Sequence, residues 1–181
     1  MLGFASDKAR CEGIDDILWL CQDMTDFELY GTVDAAVCCL DGINHLTEDG
    51  DIESCFKLVH NYLIPDGIFM FDVNTPHKFE AVYGQNDYIL EDDGTLFAWQ
   101  NDYDEVSGLC DFYFSVFEED KDGKYTRHDG VQTERCYSKE EILKTLEKCN
   151  FEVLTFSSDY DYKKPEKDAD RWYITARCIK K

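Results

Sequence analysis

The chain is poor in positive charge, has no long apolar run, and contains neither a C-x-x-C pair nor a G-x-G motif. Against 39 Asp and Glu it sets 18 Lys and Arg across 181 residues, a formal net charge of −21. Such a surface repels phosphate backbones, which excludes nucleic acid as a general partner. It modestly favours a cationic substrate. Apolar stretches fall far short of the roughly 18 residues of a membrane helix, so no membrane partner is expected. The opening MLGFASDKAR lacks the apolar core of a secretion signal. The nine cysteines are scattered, which predicts reduced thiols in a cytoplasmic protein rather than a disulfide framework. His45, His60, His77 and His128 are widely spread, so no metal site is expected.

What is present is apolar and aromatic. Hydrophobic residues make up 44% and aromatic residues 14%, enough for a real core and too many for a disordered acidic tail. The length suits one domain over 1–181 with an insertion. Residues 1–11 read as a short helix. The runs 17–21 and 33–40 read as buried strands, the second suited to a parallel sheet covered on both faces. Ile52, Cys55, Phe56, Val59 and Leu63 recur at helical spacing across 51–64. Pro65-Asp66-Gly67 turns the chain into a strand ending near Val73. Residues 33–73 therefore form a βαβ unit. A short helix is expected over 75–83. Between 88 and 137 residues alternate, with a hairpin signal at Asp120-Lys121-Asp122-Gly123, which predicts three or four antiparallel strands inserted into the α/β unit. Ser138-Lys139-Glu140-Glu141 is a capping box opening a helix that Asn150 ends. Strands 151–156 and 172–179 flank the acidic loop 157–170 as a long hairpin.

Five segments taken in order resemble the class I S-adenosylmethionine-dependent methyltransferases. They are Cys21 to Met24, Val33 to Leu46 (VDAAVCCLDGINHL), Pro65 to Thr75 (PDGIFMFDVNT), Tyr137 to Val153 and Arg171 to Arg177 (RWYITAR). The resemblance implies an α/β fold with a Rossmann-like methyltransferase sheet. It also implies methyl transfer from S-adenosylmethionine to a small-molecule acceptor. One departure is large. The family begins with a strand, a glycine-rich loop and a second strand ending in an acidic residue, and none of these has a counterpart in the sequence. The chain looks like a member lacking roughly 60 residues, two βα units, with Met1 to Ala5 resembling the helix after the second strand. The sheet is therefore expected to be incomplete, its first two strands absent. A gap of about 14 Å would separate 17–21 from 33–40. Bare strand edges are costly, which leaves three outcomes: 17–21 pairs directly with 33–40, a second copy fills the gap as a homodimer, or the segment 1–30 packs poorly; the first two are expected.

By the same resemblance, Asp23 accepts the adenine amino group and Met24 packs on the ring. Leu40 lines the cofactor and Asp41 its transfer mouth. Asn44, His45 and Asn74 face the substrate, His45 as a possible base. Asp72 ends a strand at the same crevice. Trp99, Tyr103, Tyr113 and Tyr160 are candidates for an aromatic wall. Arg171 either binds a substrate carboxylate or pairs with the acidic loop. Each candidate also has a structural reading: turn former, helix cap, sheet packing or solvated side chain. Methyl transfer needs no metal, because the sulfonium is already electrophilic and the protein aligns the nucleophile. The absent glycine loop keeps open a second function, a non-catalytic remnant that serves as a binding or oligomerisation module. A third is ligand binding by the aromatic sheet without chemistry.

Overall fold

The computed structural model describes residues 1–84, 86–158 and 164–180. Two four-stranded sheets organise it. The first has the order β1-β2-β8-β7, from β1 (Val33–Cys38), β2 (Leu63–Asn74), β7 (Phe151–Ser157) and β8 (Arg171–Cys178). After α1 (Leu2–Cys11), β1 and β2 run parallel, joined through α2 (Asp51–Tyr62), while β8 is antiparallel to both its neighbours. The second sheet is an antiparallel meander of β3 (Tyr88–Asp92), β4 (Thr95–Asp104), β5 (Leu109–Glu119) and β6 (Tyr125–Arg135).

Alternation along the first sheet sets its core face. Phe69, Phe71 and Val73 of β2 and Ile174, Ala176 and Cys178 of β8 are buried in one cluster. Ile52, Cys55, Phe56 and Val59 of α2 and Ile142, Leu146 and Cys149 after them in the chain complete it. The latter group belongs to α3 (Lys139–Lys148) and its C-terminal cap residue. Phe56 meets Phe69 and Phe71 with ring centroids 5.3 Å from each. The capping box forms as read: Ser138 Oγ accepts the Glu141 N–H at 3.2 Å and Glu141 Oε2 accepts the Ser138 N–H at 2.8 Å. Asn150 closes α3 in the left-handed conformation, φ 58°.

Three expectations are corrected. Coverage of both sheet faces is not found among the described residues: Val37 and Met70 on the second face are 59% and 39% exposed. A cavity of about 500 Å³ runs along that face from Val37 to Leu40. The 17–21 run forms no strand and does not pair with β1. Ile17 and Leu18 stay 44% and 66% exposed, since an apolar run becomes a strand only where a neighbouring edge takes its N–H and C=O groups. The Pro65-Asp66-Gly67 turn lies inside β2 as a register shift. Val33 faces Leu63 and Ala35 already faces Ile68, with Asp66 left-handed at φ 63°. The helix accordingly ends at Tyr62, two residues early. No helix is long and apolar enough to cross a membrane among the described residues.

Candidate active site

Two consecutive non-glycine residues with positive φ follow β1: Leu40 at 58° and Asp41 at 55°. That conformation is costly for residues with a Cβ and persists only where the surroundings hold it. Asp72, at the end of the adjacent β2, does so. Its Oδ1 accepts the Leu40 N–H at 2.8 Å and its Oδ2 accepts the Asp41 N–H at 3.1 Å. Arg171, at the start of β8, donates to Asp72 Oδ2 and places both terminal nitrogens 3.1–3.2 Å from Asp41 Oδ1. The three side chains are 21%, 19% and 9% exposed for Arg171, Asp41 and Asp72. The carboxyl ends of two parallel strands and the start of β8 are thus locked by one ion-paired cluster.

A buried amide extends the cluster toward the second sheet. Asn74 is fully buried. Its Nδ2 donates to Asp41 Oδ2 at 3.1 Å and to Glu134 Oε2 at 2.9 Å, and its Oδ1 accepts from Lys78 Nζ at 3.0 Å. Asn44, also fully buried, accepts the Asn74 N–H at 2.9 Å and donates to the Arg135 carbonyl at 2.9 Å. It therefore ties the end of β2 to the end of β6. Burial pushes the Glu134 carboxyl up to about 7, the Asp41 charge adding to that and the Asn74 amide opposing it. Burial, with Arg171 nearby, lowers Lys78 below the usual ammonium range.

Above the cluster the meander turns one face inward. Its register aligns Tyr103, Cys110 and Glu134 in one row, Asn101, Phe112 and Gln132 in the next, and Trp99, Phe114 and Gly130 in a third. These rows and the π-helical turn Lys78–Tyr83 enclose a cavity of about 350 Å³. Asp41, Tyr83, Phe97, Trp99, Phe112, Phe114, Gln132 and Glu134 line it. The indole Nε1 of Trp99 is buried and unpartnered among the described residues. His45 is exposed, with the Gln132 amide nitrogen 3.0 Å from its Nε2. Asp41, His45 and Glu134 bring oxygen and nitrogen atoms within 4.8 Å of one another. However, Asp41 is ion-paired to Arg171 and both carboxylates hold the Asn74 amide, so the donors suit a cation or a proton rather than forming a free ligand set.

No family model matches the chain. YqeM of Bacillus subtilis strain 168, which carries a provisional methyltransferase name, is 30% identical over 183 aligned positions, 99% of this chain and 72% of YqeM. The solved S-adenosylmethionine-dependent methyltransferase of Clostridium acetobutylicum is 32% identical and superposes with a TM-score of 0.90 over 99% of this chain and 71% of its own. The chain belongs to the S-adenosylmethionine-dependent methyltransferases. The methyltransferase CcbJ of Streptomyces caelestis shares the fold at 12% identity, with a TM-score of 0.84 over 99% of this chain.

The sequence candidates of this methyltransferase fall in different places. Asp41, Asn44, Asn74 and Arg171 meet in the cluster, and Trp99 lines the cavity beside it. Asp23 and Met24 lie apart from that cavity. Asp23 Oδ1 accepts from both the N–H and the hydroxyl of Thr25 at 2.7 Å, while Met24 packs on the main core. The Thr25 hydroxyl and N–H hold the Asp23 carboxyl below its ordinary range. Leu40 is 79% exposed at the strand end. Tyr160 lies outside the described residues. Tyr113 is corrected: it points to the outer face and is 44% exposed, because its neighbours Phe112 and Phe114 take the inner one. Arg171 pairs with Asp41 and Asp72, not with a described residue of the acidic loop.

Glu134 and Lys78 escaped the sequence reading. Both find their partners across long sequence separations or through a π-helical turn. The available signal was an acidic residue at an inward position of an alternating strand.

Gly130 shapes the cavity wall. A Cβ there would stand 2.2 Å from Phe114 Cζ, so the ring needs the bare backbone opposite it. Gly130→Ala is expected to lower the unfolding free energy in urea by about 1–3 kcal/mol as Phe114 is forced off its position. Unfolding identical to the wild type would mean that the ring moves aside freely.

Proposed function

We propose that the protein methylates a small-molecule acceptor held in the aromatic cavity beside the β1 terminus. The observation that carries this reading is the paired left-handed conformation of Leu40 and Asp41, held by Asp72 and Arg171. It sits at the carboxyl end of a parallel strand, where α/β proteins bind ligands. The residues present fit the donor's transfer end. Exposed Leu40 offers an apolar surface, and the ion-paired Asp41 marks the opening between strand end and cavity. Asp23 and Met24 are assigned to the adenine side.

S-adenosylmethionine supplies an electrophilic methyl group on a sulfonium. The protein's part is to align the acceptor and exclude water. Trp99 offers a stacking face, and its Nε1, without a partner among the described residues, a donor for a polar atom of the substrate. His45 stands at the rim, paired with Gln132. Tyr160 is assigned to the same substrate group from sequence. Asn44 and Asn74 fix the carboxylates in place, and Arg171 holds the strand ends rather than a substrate anion.

Calorimetric titration with S-adenosylhomocysteine tests the reading. Saturable micromolar binding at a stoichiometry near one is expected. No binding at millimolar ligand would favour the non-catalytic module instead.

A further inference from the structure

We propose that the cavity takes its methyl acceptor as an amine, and that Glu134 is the base that removes the acceptor's proton. This rests on the methyl-transfer reading above and narrows it.

Charge around the cavity is the first argument. Asp41, Asp72 and Glu134 face two cations, Arg171 and Lys78, through the contacts already described. With Glu134 ionised the cluster carries one uncompensated negative charge. A substrate ammonium balances it and an alcohol does not. A substrate carboxylate would meet three of its own kind, and Arg171, already engaged by two aspartates, offers it no free partner.

The second argument is accessibility. Glu134 is 5% exposed, yet it belongs to the cavity lining. Its Oε2 accepts the Asn74 amide at 2.9 Å, and the Asp41 carboxylate lies within hydrogen-bonding reach of it at the cavity edge. The aromatic faces of Tyr83, Trp99, Phe112 and Phe114 complete a wall suited to a cation. His45, the other base candidate, is exposed and pairs with Gln132 rather than lining the cavity.

The chemistry requires such a base. An ammonium has no lone pair, so it must lose a proton before it can attack. Glu134 takes that proton on its carboxylate. The freed nitrogen pair forms the N–C bond as the S–C bond breaks, and the breaking pair stays on sulfur as a neutral thioether. The product is a methylated ammonium, and the proton leaves Glu134 to solvent. A carboxyl raised by burial to about 7 is matched to this task. Asp41, His45, Lys78, Tyr83 and Cys110 are the other titratable groups facing it.

Benzylamine, benzyl alcohol and benzoate, titrated calorimetrically, separate the possibilities. At pH about 8 benzylamine is expected to bind at least tenfold more tightly than benzyl alcohol, the worth of about one hydrogen bond to a charged group. Benzoate should be weakest. The amine preference should shrink several-fold at pH about 6, as Glu134 takes up a proton. Glu134→Gln should abolish the preference and Glu134→Asp should keep part of it, with circular dichroism confirming that each variant is folded. Equal binding of amine and alcohol by the wild type overturns the proposal, whether or not the variants fold. So does a preference that survives Glu134→Gln. If S-adenosylhomocysteine binds and amines are not preferred, methyl transfer stands and the amine assignment falls. An amine preference without S-adenosylhomocysteine binding removes the transfer reaction itself, and this proposal with it.

Discussion

Arg171→Met is expected to lower the unfolding free energy by about 2–4 kcal/mol, somewhat below the cost of breaking a fully buried ion pair because the guanidinium is partly exposed. The side chain has little company in this role. Asp41 and Asp72 are 19% and 9% exposed, and Arg171 is the guanidinium that reaches both. Its removal leaves two carboxylates facing each other beside Glu134, with backbone N–H groups and the Asn74 amide as their remaining support. The strained Leu40–Asp41 backbone loses a restraint at the same time. Methionine keeps most of the side-chain volume, so the loss reports charge rather than packing. The measurement is urea denaturation of the wild type, Arg171→Met, and Arg171→Met combined with Asp72→Asn. The double variant should recover part of the loss, since one surplus charge is gone. A single variant within about 0.5 kcal/mol of wild type, the usual range for a surface substitution, would mean that the pair is solvated.

The main fold was legible because its signals are local. Spacing at Ile52, Cys55, Phe56 and Val59 marks the buried stripe of α2, and the Ser138 and Glu141 pair marks the start of α3 to the residue. Alternation marked the meander, and the turn at Asp120–Gly123 closes there with the Asp120 N–H on the Lys124 carbonyl. The resemblance added the type of sheet, which no local pattern contains. The 17–21 run failed for a matching reason. Apolar content shows that a segment can be a strand, but pairing decides whether it is, and pairing is a property of the neighbours.

The candidate site was legible by half. Asp41, Asn44, Asn74 and Arg171 stand at strand ends, where α/β folds gather ligand groups, and strand ends can be read from a sequence. The contacts among them cannot. Arg171 meets Asp41 across 130 residues, and Asn74 meets Glu134 across 60. Glu134 went unread because alternation alone does not say which face of its strand turns inward. The inward phase of β6 is set by its register with β5, not by its own composition. Tyr113 shows the same limit, since one step along a strand exchanges the two faces.

The Glu134 carboxyl also governs how stability depends on pH. Its folded-state value is raised to about 7 from an ordinary 4.5. Between those values the folded protein binds a proton that the unfolded chain releases, so stability falls as pH rises. The contribution is fully present below about 4.5 and lost above about 7, and the full shift corresponds to about 3 kcal/mol. Asp23, Asp104 and Asp129 are exposed groups whose values are lowered by hydrogen bonds. They act in the opposite sense, and only at more acidic pH. Glu134→Gln keeps the shape and an oxygen for the Asn74 amide without the charge. The variant should therefore unfold like the wild type near pH 4.5 and be more stable by about 2–3 kcal/mol at pH 8. Parallel stability curves for the two proteins would show that Glu134 is ionised at ordinary cost within the fold. The same substitution is expected to abolish the preference for an amine ligand. A gain in stability joined to a loss of recognition is the signature of a charge kept for its chemistry, since a structural carboxylate would lose stability when neutralised.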